Sequence, residues 1–123
     1  MAFDPELSEE DVIQVEQVEK GIVARILESE VTMFSLPEIR SVLMEIVQKK
    51  PPFLILDFAR SDYMDSSSIA LIFKIQNEIL GYQGRFCVTA LKPSLKKVLG
   101  AVVREDEMAF FETVEEAMQS VTG

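Results

Sequence analysis

Histidine and tryptophan are absent from this chain of 123 residues, and cysteine occurs once, as Cys87. Without histidine there is no side chain that titrates near neutrality, so neither a Ser-His nor a Cys-His pairing can be built. A glycine-rich phosphate loop and a spaced set of metal ligands are also missing from the sequence. The expectation is therefore a protein that is not an enzyme and needs no cofactor or metal. A lone cysteine rules out an intrachain disulfide and suits a reducing compartment. Inside the run "RFCVTAL", Cys87 reads as a small buried hydrophobe rather than a reactive thiol. Basic residues are few, with 12 Lys and Arg against 21 Asp and Glu, a net charge of −9. That balance argues against nucleic acid and anionic membranes as partners, since both are held by clustered cations. No uninterrupted apolar run approaches the roughly 18 residues of a membrane span. The opening "MAFDPELSEED" has neither the basic start nor the apolar centre of a secretory signal. The expected location is the cytoplasm, with no direct membrane insertion.

What the chain does have is apolar content of 48 %, enough for one core at this length. Residues 1–10 read as a loose acidic lead-in, and 11–122 as a single domain. "VIQVEQVEKGIVARILE" holds two alternating runs broken at Glu19-Lys20-Gly21, which predicts a β-hairpin with Gly21 supplying the turn. In "SLPEIRSVLMEIVQKK", apolar residues recur at steps of three and four, predicting a helix over 36–49 with Ser35 as its cap. "FLILDF" reads as a strand buried on both faces. A second helix over 67–80, the strand "RFCVTAL", a helix from Pro93 and a terminal helix around "ETVEEAMQSV" complete an α/β layer with a mixed sheet.

Between "FLILDF" and the second helix lies "MDSSS". Asp65 or Ser66 placed ahead of the helix can accept hydrogen bonds from its first free amides, a role that needs no function. A helix N-terminus also favours negative charge, so a hydroxyl held there is a place where a phosphate can be made and accommodated. Projected at 3.6 residues per turn, Ile69, Ile72, Phe73, Ile75, Ile79 and Leu80 face inward with Gln76 among them. Ser67, Ala70, Leu71, Lys74, Asn77 and Glu78 face outward. An exposed Leu71 beside small residues suits a docking surface, although a single exposed leucine is also ordinary. A phospho-accepting receiver domain would use Asp57, Thr89 and Lys92, but Thr89 and Lys92 lie too close together in the chain to occupy successive strands.

"YMDSSSIALIF", preceded by a strand and followed by "GYQGRFCVTALKPSLKKVLG", resembles the STAS domain of bacterial anti-sigma-factor antagonists. That family carries Met-Asp-Ser-(Ser/Thr)-Gly at the start of a helix. The resemblance implies a mixed sheet of four to five strands with about four helices. It further implies a phosphoacceptor at Ser66, with Ser67 the second choice, and a supporting acid at Asp65. The implied partner is an anti-sigma factor that is also a serine protein kinase. Together with the outward arc of the second helix, the residues expected to support the site or meet that partner are Asp65, Ser67, Ser68, Ala70, Leu71, Lys74, Glu30 and Thr32. The unphosphorylated form would bind that partner and release a sigma factor. Here Ser68 stands where the family has glycine, Ser29 stands for the glycine before Glu30, and Thr32 stands for an aspartate. Other STAS domains are non-switching scaffolds of signalling assemblies, or parts of transporters and lipid-transport complexes.

Overall fold

In the computed structural model, residues 12–102 and 108–122 are described. The expected lead-in at 1–10 lies outside them. β1 (Ile13–Val18) and β2 (Gly21–Ile26) pair antiparallel as the alternating pattern predicts, with Ile13 opposite Ile26 and Val18 opposite Gly21. The turn, however, is not made by Gly21. Lys20 takes the left-handed conformation, at φ 67°, while Gly21 keeps a negative φ and begins β2. A Cβ on Gly21 would lie 2.5 Å from the ring of Phe53. Glycine is there so that an aromatic ring can sit against the backbone, not for conformational freedom.

After the hairpin come β3 (Glu30–Val31), α1 (Leu36–Gln48), β4 (Phe53–Asp57), β5 (Tyr63–Met64) and α2 (Ser66–Gly81). They are followed by β6 (Arg85–Thr89), α3 (Pro93–Val102), β7 (Ala109–Phe111) and α4 (Val114–Thr122). The main sheet has the order β1-β2-β4-β6-β7. Every neighbouring pair after the hairpin is parallel, which makes the five-stranded sheet mixed. β3 and β5 form a separate two-stranded parallel pair, with Glu30 opposite Tyr63 and Val31 opposite Met64.

All five residues of β4 are buried because the strand is central and covered on both faces. On one face, Ala24, Leu54, Leu56, Phe86 and Val88 belong to the large core with Ile39 and Leu43 of α1 and Ile72, Ile75 and Ile79 of α2. On the other, Val23, Phe53, Ile55 and Cys87 meet Ala117 of α4, with Met118 and Val121 packed around it. Each Val, Leu, Ile and Phe side chain among them contributes about 1.5–3 kcal/mol on leaving water. Cys87 is buried as expected, and desolvation outweighs the nearby Arg85 cation to push its thiol up to about 11. Ser35 does occupy the N-cap of α1, but its hydroxyl makes no capping bond. It donates instead to the Thr32 carbonyl at 3.1 Å.

Candidate functional site

β5 delivers the chain to the mouth of α2, where Asp65 is the N-cap residue in extended conformation. Its Oδ1 accepts from the Ser68 backbone amide at 3.0 Å, and its Oδ2 from the Met33 amide at 3.0 Å. One carboxylate thus closes the open end of α2 and ties down the loop that leads into α1. Hydrogen bonds from the Ser68 amide and hydroxyl, with a further one from the Met33 amide, hold the Asp65 carboxyl below its ordinary value.

The three serines have three different environments. Ser66, the first residue of α2, and Ser67 are exposed. Among the described residues, neither hydroxyl has a side-chain hydrogen-bond partner. Ser68 is only 2 % exposed. Its hydroxyl lies 2.7 Å from the Val31 carbonyl and 2.8 Å from Asp65 Oδ1, donating its one proton to either acceptor. A glycine in this place would leave the Val31 carbonyl without that donor.

Thr32 is half-buried, and its hydroxyl accepts from the Phe34 amide at 3.3 Å, the kind of short-range acceptor role an aspartate also fills. Glu30 is exposed on β3, beside Tyr63. Ser67, Ala70, Leu71 and Lys74 share a groove with Met33, Leu36, Pro37 and Arg40, about 710 Å³ in volume. The expected outward arc of α2 is therefore one wall of a cleft whose other wall is the start of α1.

Leu71 requires correction: it is 7 % exposed and belongs to the large core, so it is not a surface residue. Phe73 and Leu80, expected inside, are half-buried and exposed respectively. Ile72, Ile75, Gln76 and Ile79 face inward as expected, but the edges of the arc are displaced, because α1 packs along one flank of α2 and turns Ser68 and Leu71 inward as well. Met33 and Phe34 escaped the sequence reading. They are 62 % and 89 % exposed on the loop that Asp65 holds, and Tyr63 is 51 % exposed on the adjacent strand. Their signal was an apolar pair in a segment too short for helix or strand. Asp57 and Thr89, considered for a receiver site, form a buried pair in which the threonine hydroxyl donates to Asp57 Oδ1 at 2.8 Å. Lys92 is turned to the Ala59 carbonyl at 2.9 Å and to Asp62 at 3.5 Å.

Among the described residues, a five-stranded mixed sheet, four helices and an Asp-Ser-Ser-Ser helix mouth define a domain with the fold of the anti-sigma-factor antagonists. The chain belongs to the STAS domain family, whose model matches residues 13–117. The anti-sigma factor antagonist SpoIIAA in its unphosphorylated form superposes with a TM-score of 0.72 at 26 % identity, over 90 % of this chain and 98 % of that one. The phosphorylated form of SpoIIAA, a Bacillus cell fate determinant, gives 0.73 at 25 % identity, over 89 % and 98 %. A STAS domain protein from Planctomyces limnophilus reaches 0.82 over 90 % and 98 %, at 19 % identity, a likeness of fold alone. Among curated sequences, a putative sulfate transporter of Bacillus subtilis (strain 168), YvdB, is 37 % identical over 65 residues, 53 % of this chain. The matched segment is only 12 % of that transporter's length. No helix among the described residues is long and apolar enough to cross a membrane.

Proposed function

We propose that the protein is an anti-sigma factor antagonist of the cytoplasm whose unphosphorylated form binds an anti-sigma factor with serine kinase activity and is released when Ser66 is phosphorylated. The observation that carries this reading is the division of labour among the serines. Asp65 and Ser68 are committed to holding the helix mouth, while Ser66 stands exposed at its first position with a hydroxyl that has no hydrogen-bond partner among the described residues. The likeness to SpoIIAA, solved in unphosphorylated and phosphorylated forms, supports it. A phosphoserine adds about −1.5 to −2 charges. The helix dipole offsets part of that charge in the free domain, whereas a docked partner would strip it of water at a cost of several kcal/mol. Met33, Phe34 and Tyr63 supply the exposed apolar surface for docking beside it.

The test pairs the protein with ATP and each serine kinase of the anti-sigma type encoded in the same genome. Intact mass should rise by one phosphoryl group in the wild type and in Ser67→Ala, and not in Ser66→Ala. Full modification of Ser66→Ala would reject the assignment. The likeness to YvdB favours a second reading, in which the domain serves a transporter as its STAS part; no kinase would then modify it, and its partner would be a membrane protein.

A further inference from the structure

The groove between α1 and α2 carries a charge pattern at odds with the rest of the chain. Its lining is apolar along Met33, Leu36, Pro37, Ala70 and Leu71, with Arg40 on one wall and Lys74 on the other. Among the described residues, neither cation makes an ion pair; the salt bridges there belong to Arg25, Lys92 and Lys96. Two unopposed cations facing one cleft are unexpected on a protein of net charge −9. The cleft at the far end of the same helix pair, about 650 Å³, carries both signs, Lys50 and Glu78.

We propose that the Arg40–Lys74 groove seats an acidic segment of the protein partner, an apolar side chain lying against Leu36, Pro37 and Ala70 while carboxylates meet the two cations. The partner's existence rests on the antagonist reading; the chemistry of its segment does not. Screening limits the reach of a surface charge to about 8 Å at physiological salt. A short segment with one or two carboxylates therefore meets the local cations, whereas an extended polyanion such as a membrane or nucleic acid meets the acidic remainder of the surface as well. Ser67 lines the same groove and Ser66 adjoins it in sequence. A phosphoryl group at this corner competes with the partner's carboxylates for Arg40 and Lys74, so release is competitive as well as repulsive.

Isotope-labelled protein titrated with three short capped peptides, Leu/Glu, Leu/Gln and Leu/Lys in matched order, tests the assignment. The Leu/Glu peptide should perturb amides around Arg40, Ala70 and Lys74 and bind at least about tenfold tighter than Leu/Gln, a difference of about 1.4 kcal/mol. Arg40→Gln with Lys74→Gln, both exposed positions, should erase that preference and leave the melting temperature unchanged. Equal affinity for the Glu and Gln peptides, perturbations centred elsewhere, or no binding by any of them overturns the proposal. Failure of the antagonist reading registers separately, as absence of kinase modification at Ser66.

Discussion

At the scale of the residue, Ser68 and Ser66 differ by two positions and by almost everything else. Because the Ser68 hydroxyl is one of two donors to the Val31 carbonyl, the other being the Asp65 amide, Ser68→Ala should cost about 0.5–1.5 kcal/mol, the net worth of one hydrogen bond. Ser66→Ala should leave stability within about 0.5 kcal/mol, as surface changes do; urea unfolding of both variants checks the contrast. Asp65 adds a pH dependence of definite sign. Its folded-state carboxyl titrates below the ordinary value of 3.8, so the stability it confers is present above that value and is lost as pH falls through the lower folded one. Asp65→Asn should therefore lower the melting temperature near neutrality, with the gap to wild type closing in acid. A gap that holds constant to the lowest pH would show that the charge of Asp65 plays no part. Leu71 and Ala70 give a second contrast. Leu71→Arg puts a charge into the core and should destabilise by more than about 4 kcal/mol. Ala70→Glu, at an exposed groove position, should preserve the melting temperature while weakening partner binding through repulsion of an acidic segment.

Among the elements, the hairpin shows how a correct prediction can rest on the wrong cause. Alternation in "IQVEQV" and "GIVARI" placed both strands, but the turn conformation falls on Lys20 and Gly21 makes room for Phe53. Gly21→Ala should destabilise by about 1–3 kcal/mol through overpacking against a ring that the second core holds in place. Lys20→Gly should stabilise by up to about 1 kcal/mol by relieving a left-handed residue; thermal melts of the two variants should move in opposite directions. The long elements were legible because periodicity accumulates over many residues: α1, β4, α2 and β6 were placed to within a residue or two. β3, β5 and β7 are two or three residues long, too short for a period to register. The site was legible where it follows from local chemistry, as with the Asp65 cap. Its other half was not, because burial of Leu71 and the groove wall from Leu36 to Arg40 depend on which flank of α2 meets α1, a fact of tertiary packing.

At the scale of the whole molecule, the core beneath α4 encloses one thiol. Cys87 is 1 % exposed, on β6, an interior strand flanked by β4 and β7, and its thiol is pushed up to about 11 by burial. Both effects suppress the reactive thiolate, so labelling by a thiol reagent at neutral pH should proceed only through broad opening of the fold. The rate should fall at least about a thousandfold below that of the chain in denaturant, in keeping with a stability of several kcal/mol. Labelling within an order of magnitude of the denatured rate would show that the sheet opens locally at β6. The same measurement on phosphorylated protein should return the same protection, since a charge added at the mouth of α2 lies on the surface, away from both cores.

The pairing of β3 with β5 has a bearing on how such domains exchange parts. It joins the segment leading into α1 to the segment leading into α2, and the Asp65–Met33 and Ser68–Val31 bonds add two further links between them. The main sheet contributes none of these four contacting residues. Residues 28–40 and 61–74 therefore form one transplantable cassette: moved together into another domain of this fold they carry the proposed docking groove with its internal bonds, while either segment moved alone arrives with half of each bond missing. Inheritance that shuffles single loops would be penalised here, and recognition specificity would pass between relatives only as a matched pair.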